Sequence, residues 1–300
     1  MTRTSQPTDR MRYDSGFNIQ TMFVDGRAGF QTPQFNMTHL QSADSDQQVH
    51  GQEGPSQAPR GLTIPGMHSL LAPLVIADIK SAHPQSAPRV LDLGAGPGGM
   101  SYRLQQAGFQ MEACDLFPEL FQCPGVTCQL ADACQPLPYN NEQFDAIVAV
   151  EVVEHLESQL TLFGEIHRLL KPGGKFFFTT PNIASLKSRL SYLLTGYFYS
   201  HGPLDPNVDD PISQHIGPST PDRYYYLLAR AGLDLNRLTT DRLQRSSLGL
   251  AWLAPLIWGL TQLKFSPTKG TRMENSPPTL FGRTLIGVAQ KQAGRQQQAA

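Results

Sequence analysis

Glu151, Glu154 and His155 stand close enough together to do chemistry on a bound acceptor. If a helix begins at about Glu151, positions i, i+3 and i+4 share one face. Two carboxylates and an imidazole then form a set that suits Mg²⁺, Mn²⁺ or a related divalent ion, with further oxygen ligands from water or substrate. An ion there would bind an acceptor hydroxyl and lower its pKa. Without a metal, His155 could serve as a general base, worth about 10²–10⁴-fold. A purely structural role also stays open, because acids in a first helical turn favour the helix dipole. A fourth ligand would come from later in the chain, where His201, His215, Asp209 and Asp210 are the candidates.

A second constellation lies upstream. The run Val90-Leu91-Asp92-Leu93-Gly94-Ala95-Gly96-Pro97-Gly98-Gly99 is a short apolar strand that breaks into a glycine loop, and Met100–Ala107 can follow as a helix. Glycines let a backbone turn tightly and approach a ligand closely, and a helix N-terminus offers unpaired N–H donors. Gly94, Gly96 and Gly99 formally satisfy G-x-G-x-x-G, a weak pointer to a dinucleotide. Asp92 argues against a pyrophosphate: like charges about 4 Å apart at an effective dielectric near 20 cost roughly 4 kcal/mol. A ligand bearing an ammonium and a sulfonium would gain from the same acid, and S-adenosylmethionine has both. The alternative for Asp92 is a helix cap or turn residue.

Further acids follow at strand ends. Asp115 ends the strand Gln110–Cys114, about 20 residues beyond the loop, and suits a grip on ribose hydroxyls. Leu116 could lie against adenine, and Asp132 or the neighbouring amide of Ala133 could receive the adenine amino group. Ligands of open α/β sheets bind outside the carboxyl ends of the strands, so acids at successive ends reinforce one another.

The elements that position these residues alternate between strand and helix. A helix over Leu70–Ile79 leads into strands at Arg89–Leu93, Gln110–Cys114, Val126–Leu130 and the nearly all-apolar Phe144–Val150. Leu160–Leu170 has helical spacing, Pro172-Gly173-Gly174 ends that helix and turns the chain, and Lys175–Thr180 is the fifth strand. Thr220-Pro221-Asp222 starts a helix that runs to Gly232, with an N-cap hydroxyl and a first-turn proline. Leu233–Thr239 and Thr284–Ala289 are the last strands. The expected fold is α/β, a doubly wound sheet with helices on both faces.

Residues 1–60 read as a polar, flexible arm, within which Phe17–Phe35 has enough apolar character to pack; residues 293–300 read as a flexible tail. The domain between them, 61–292, carries an expected lid insertion at about 183–218. There Leu186, Leu190, Leu193, Leu194 and Tyr197 form a helical stripe. The segment 248–265 is apolar, contains Trp252 and Trp258, and is too short to span a bilayer. It is read either as a buried or capping helix or as an interfacial element that reaches a lipid-linked acceptor.

A net charge of −1 over 300 residues provides no field for nucleic acid, so a nucleic-acid partner is not expected. Cys114, Cys123, Cys128 and Cys134 do not have the paired spacing of a zinc ribbon and read as reduced thiols. With no apolar h-region opening the chain, the expectation is a cytoplasmic protein, with peripheral membrane contact if 248–265 is interfacial.

The chain resembles the class I S-adenosylmethionine-dependent methyltransferases over roughly Gly61 to Gln290. The resemblance is carried by Val90–Gly99, Cys114-Asp115-Leu116, Ala131-Asp132-Ala133, Phe144–Leu156, Leu170-Lys171-Pro172-Gly173-Gly174 and Thr180-Pro181-Asn182. Glu151–His155 looks most like the ubiquinone-type (methyltransferase type 11) O-methyltransferases. It also looks like small-RNA 2′-O-methyltransferases, where such a stretch binds a divalent metal. The resemblance implies a Rossmann-like, mostly parallel seven-stranded sheet with one antiparallel strand near the end. It also implies that Asp92, Gly94, Gly96 and Gly98 hold the methionine part, Asp115 and Leu116 the nucleoside, and Asp132 and Ala133 the adenine edge, with Glu151 completing the set. Family members often carry a histidine where His215 precedes the capped helix, which favours His215 with Glu151, Glu154 and His155 as the metal set. His155 and Glu154 are then the candidate catalytic pair, acting on an oxygen of a small-molecule or lipid-linked acceptor. RNA ribose methylation, a non-catalytic S-adenosylmethionine-binding module and a dinucleotide-dependent dehydrogenase remain alternatives.

Overall fold

Seven strands form one sheet in the order β3-β2-β1-β4-β5-β7-β6 in a computed structural model of the chain. The strands are β1 (Arg89–Leu93), β2 (Gln110–Asp115), β3 (Cys128–Leu130), β4 (Phe144–Val150), β5 (Leu170–Pro181), β6 (Leu233–Thr240) and β7 (Thr284–Lys291). The first five pair in parallel, and β7 runs antiparallel to both β5 and β6. The structure describes residues 59, 63–84, 86–199, 201–208 and 213–292. The chain divides into Met1–Pro55 and Ser56–Ala300, and the fold is that of the second unit. The expected arm over 1–60 (Pro59 apart), the tail 293–300, and the candidate ligands Asp209 and Asp210 lie outside the described residues.

The sheet's interior follows from strand alternation, which sends successive side chains to opposite faces. Along β4 and β5, Ile147, Ala149, Phe176 and Phe178 face one core, and Ala146, Val148, Val150 and Phe177 face the other. The first core is covered by α3 (Gln159–Leu169) and α5 (Pro221–Arg230), the second by α1 (Met67–Ala82) and α2 (Gly99–Gln106). A strand buried on both faces has no polar side to show, which is why β4 is almost wholly apolar. The N-cap of α5 is as its residues demand: Thr220 accepts from the amide of Arg223, and Pro221 takes the first turn.

Three local expectations are corrected. No α-helix starts at Glu151. That residue adopts a left-handed backbone, φ 55, and only Val153–His155 coils, as a 3-10 turn. The helix before β5 ends at Leu169, and Leu170 already pairs with Phe144. Pro172-Gly173-Gly174 forms a bulge inside β5, after which pairing resumes at Lys175 opposite Ala146. The apolar segment 248–265 is not one buried helix. It breaks into α6 (Arg245–Leu248), a 3-10 turn at Ala251–Leu253 and α7 (Ala254–Lys264), and α7 has no buried residue. A helix is present where the apolar stripe after the fifth strand calls for one, α4 (Leu186–Thr195), capped by Ser185, which accepts from the amide of Ser188. Two further helices, α8 (Lys269–Glu274) and α9 (Pro277–Phe281), lead into β7.

Gly287 on β7 lies opposite Phe178 on β5, and a Cβ at Gly287 would collide with the Phe178 ring. Overpacking of this kind costs about 1–3 kcal/mol. Gly287→Ala is therefore expected to lower the urea midpoint by a matching amount with an unchanged m-value; an unaltered midpoint would show that the ring can move aside.

Candidate functional site

The carboxyl ends of β1, β2, β4 and β5 gather at one edge because those strands run parallel. At that edge the loop after β1 is tied to the end of β2. The amides of Gly94 and Ala95 both donate to the carbonyl of Cys114, at 2.8 and 3.2 Å. The amide of Gly96 donates to Asp115 Oδ2 at 2.7 Å, and the amide of Phe117 donates to Oδ1 at 2.8 Å. Asp115 is thus fixed at both oxygens, and each keeps a second lone pair for a ligand hydroxyl. Gly96 has φ 50 and open space where a Cβ would stand, so the loop presents bare backbone to whatever lies beyond it. Gly94 faces inward, where a Cβ would strike Val152. Gly98 caps α2 and packs against Phe121 and Cys123, behind the open side of the loop. Leu116 is exposed, an apolar side chain at the lip without cover. Asp132 turns back on its own backbone, accepting from the amide of Cys134 at 2.8 Å, and Ala133 packs against the first core.

Asp92 is placed beneath the loop, in the helix-cap position that is the alternative reading of it. It is 2% exposed, and its Oδ2 accepts from both the amide and the hydroxyl of Ser101, at 2.9 and 2.6 Å. It caps the first turn of α2 from beneath. Burial pushes its carboxyl up to about 6, the Ser101 bonds pull the other way, and Asp115 adds repulsion.

Glu151 is also placed elsewhere. Its amide donates to Thr179 Oγ1 at 2.9 Å, and its Oε2 accepts from the amide of Ile64 at 2.9 Å, ahead of α1. The carboxylate ties the approach to α1 onto the end of β4 and does not join the other acid and the histidines.

Glu154, His155 and His215 do converge, with one ligating atom from each lying within 4.8 Å of the others. Glu154 is wholly buried, and neither carboxylate oxygen has a hydrogen-bond partner. Burial pushes it up to about 8 and Glu151 adds to the rise; its own amide and the Thr180 hydroxyl pull the other way as nearby dipoles, neither in hydrogen-bonding geometry with the carboxylate. His155 Nδ1 donates to the carbonyl of Gln214 at 3.0 Å, because a carbonyl can only accept, and this puts the lone pair of the neutral ring on Nε2. The His215 ring meets the His155 ring edge-on, with centroids 4.7 Å apart. Burial and the two neighbouring histidines hold His215 down near 4, so it is a neutral imidazole at pH 7. His201 stands behind it, Nε2 3.2 Å from His215 Nδ1, outside the convergent set.

Sequence reasoning missed the groups that bring His215 across. Gln159, at the start of α3, donates to the carbonyls of Val153 and Gly217 at 2.9 and 2.6 Å and accepts from Ser219 Oγ at 3.1 Å. The amide of Gly217 donates to the carbonyl of Glu154 at 2.8 Å. Below them, Thr180 and Tyr224 share a buried 2.9 Å hydrogen bond. The one available signal was the type of Gln159, a polar residue opening an amphipathic helix.

Residues 67–238 match a family model described as a methyltransferase domain. A ubiquinone biosynthesis O-methyltransferase from Xylella fastidiosa (strain 9a5c) is 33% identical over 128 residues, 37% of this chain and 49% of the relative. A malonyl-[acyl-carrier protein] O-methyltransferase from Erwinia pyrifoliae is 32% identical over 113 residues, 36% of this chain and 43% of the relative. The chain spans about half the length of these curated relatives. A solved SAM-dependent methyltransferase from Archaeoglobus fulgidus overlays with a TM-score of 0.45 at 18% identity, covering 73% of this chain and 94% of its own.

The strain at Asp92 has a measurable sign. An acid whose folded pKa lies above its unfolded value of about 3.9 favours the folded state fully only below that value, and the benefit is lost as pH rises through about 6. Asp92→Asn can keep the acceptor for Ser101 without the buried charge. Its stability relative to the parent is expected to climb between pH 4 and pH 7 by roughly 2–3 kcal/mol and then level off, in urea titrations across that range. A pH-independent difference would mean that Asp92 carries no such penalty.

Proposed function

Because the chain belongs to the class I S-adenosylmethionine-dependent methyltransferases, we propose that it methylates an oxygen of a small-molecule or lipid-linked acceptor, activated at Glu154, His155 and His215. S-adenosylmethionine, when bound, supplies a methyl group on a positively charged sulfur. In this reading the loop Gly94–Gly98 holds the methionine part through backbone, and Asp115, anchored on Gly96 and Phe117, takes the ribose hydroxyls. Leu116 lies along the adenine, and the turn at Asp132-Ala133 takes its edge. The open space at Gly96 and the uncovered Leu116 fit such a nucleoside.

The observation that carries the acceptor half is Glu154. A carboxylate sealed from water without a hydrogen bond is costly unless it is protonated or faces a cation. Two imidazoles beside it complete a donor set of one oxygen and two nitrogens, which fits a divalent ion with room left for water or a hydroxyl. An ion held by these three residues would make an acceptor hydroxyl more acidic. The carbonyl of Gln214 on the far nitrogen of His155 is the outer partner that orients a metal-bound histidine. With no ion, the same bond sets the tautomer in which Nε2 of His155 is the basic nitrogen toward an acceptor hydroxyl, and Glu154 stabilises the imidazolium formed. Alignment of the acceptor supplies much of the remaining rate. The names of the two O-methyltransferase relatives support oxygen as the accepting atom.

Calorimetry with S-adenosylhomocysteine tests the donor half: binding is expected, with Asp115→Ala weakening it at least about tenfold, in line with one lost charge-assisted hydrogen bond. A preference for NAD would end this reading. For the acceptor half, Glu154→Gln and His155→Ala should keep that binding within a few-fold and lose about 10²–10⁴ in turnover. Turnover abolished by EDTA and restored by Mg²⁺ or Mn²⁺ assigns the ion; indifference to both assigns His155 as the base. A His155→Ala variant with parental turnover refutes both.

A further inference from the structure

We propose that α4 and α7 form one surface that docks on an anionic lipid bilayer and brings the mouth of the site to it; this deepens the lipid-linked acceptor reading above. On α4 Leu190, Leu193 and Leu194 face outward, with Leu193 79% exposed, and Tyr197 just past its C-cap is exposed too. On α7, Leu256, Leu260 and Leu263 repeat at helical spacing and are also uncovered, Leu263 at 86%. Trp252 just before α7, Trp258 within it and Phe265 just after it are exposed too. An apolar patch of this size on a globular chain marks an interaction site, and tryptophans beside leucines are the composition of an interfacial helix.

The two helices are fastened to each other. Arg189 of α4 donates to the carbonyl of Glu274 at 2.7 Å and to Asn275 Oδ1 at 3.2 Å. Asn275 Nδ2 in turn donates to Thr261 Oγ1 of α7 at 3.0 Å. One guanidinium and one amide thus hold both stripes in a fixed relation. The surface also adjoins the site, since α4 begins five residues after β5 ends, on the edge where β4 delivers Glu154.

Charge selects the occupant. From Arg242 to Met273 the chain carries Arg242, Arg245, Lys264, Lys269 and Arg272 and no acid; from Ile183 to Leu204 it carries Lys187 and Arg189 and no acid. Lys269 pairs with Asp234, Arg242 lies 4.0 Å from Asp241 and Arg189 serves the clamp beside Glu274, which leaves Lys187, Arg245, Lys264 and Arg272 as the positive charges carried by these segments. In a chain of net charge −1 this is a local concentration of positive charge. It would repel a second copy of itself and attract anionic headgroups, at about 1 kcal/mol for each basic residue near the surface. No helix among the described residues is long and apolar enough to cross a membrane, so contact would be with one leaflet. A lipid-linked acceptor could then offer its polar head at the site while its tail stays in the bilayer.

Trp252 and Trp258 are the chain's two tryptophans, so intrinsic emission reports this surface alone. Titrating the full chain with phosphatidylglycerol vesicles is expected to shift the emission to the blue, and lipids brominated on their acyl chains should quench it. Binding should fall at least about tenfold in Leu193→Glu/Leu263→Glu and about fivefold in Lys264→Gln. S-adenosylhomocysteine binding should be unchanged in both, which shows them folded. Emission indifferent to anionic vesicles, with no flotation, overturns the docking surface. So does a concentration-dependent dimer that the double variant abolishes, which would make the face an interface between copies. Vesicle binding by His155→Ala should equal that of the parent, so loss of the methyl-transfer reading and loss of docking are read separately.

Discussion

A carboxylate placed where water cannot reach it must be neutral or must face positive charge, and Glu154 imposes that condition on everything around it. Its backbone turns sharply after β4 because Glu151 takes a left-handed conformation, which rotates Glu154 inward instead of along a helix face. Gln159 and Gly217 then fasten the segment carrying His215 over the turn. Those buried hydrogen bonds are spent on holding a second chain segment against an acid that itself has no partner. Such an arrangement contributes little to stability by itself, since an unsatisfied buried oxygen costs about 1–3 kcal/mol. Strain concentrated at one edge of a well-packed sheet is characteristic of a site.

The two acids near the glycine loop divide their work by burial. Asp92 lies under the loop and fixes the start of α2 through Ser101. Asp115 lies beside the loop and holds its outer turn through Gly96. Both act on backbone amides, but Asp92 is buried and Asp115 is only half-buried, beside the loop's open face. The glycine run is therefore shaped from two directions, and its open face is backbone at Gly96.

Much of the architecture was legible because the strands announce themselves. Phe144–Val150 has one reading, a strand covered on both sides, and the structure has the same bounds. Thr220-Pro221 likewise marks the start of α5. What was not legible depended on long-range partners. A left-handed Glu151 follows from the amide of Ile64 and the hydroxyl of Thr179, far off in sequence. The bulge at Pro172-Gly173-Gly174 looks like a helix stop because proline and glycine signal a break without saying which element is broken. Hydrophobicity alone could not say that 248–265 would stay uncovered, because apolar residues mark a core and a docking face alike. Within the candidate site, types and spacing pointed to Glu154 and His155; the bonds through Gln159 and Gln214 that orient them leave no local pattern.

The position of β7 bears on how the polypeptide matures. The strand nearest the end of the domain is wedged between β5 and β6, and β6 has no other neighbour in the sheet. While the ribosome is still adding residues 284–291, β5 keeps an open edge and β6 has nothing to pair with. The nascent chain must hold these strands unpaired until residues 284–291 have emerged, so closure of the sheet follows assembly of the first five strands. Chaperone dependence in translation would then trace to topology and not to any weakness in the first five strands.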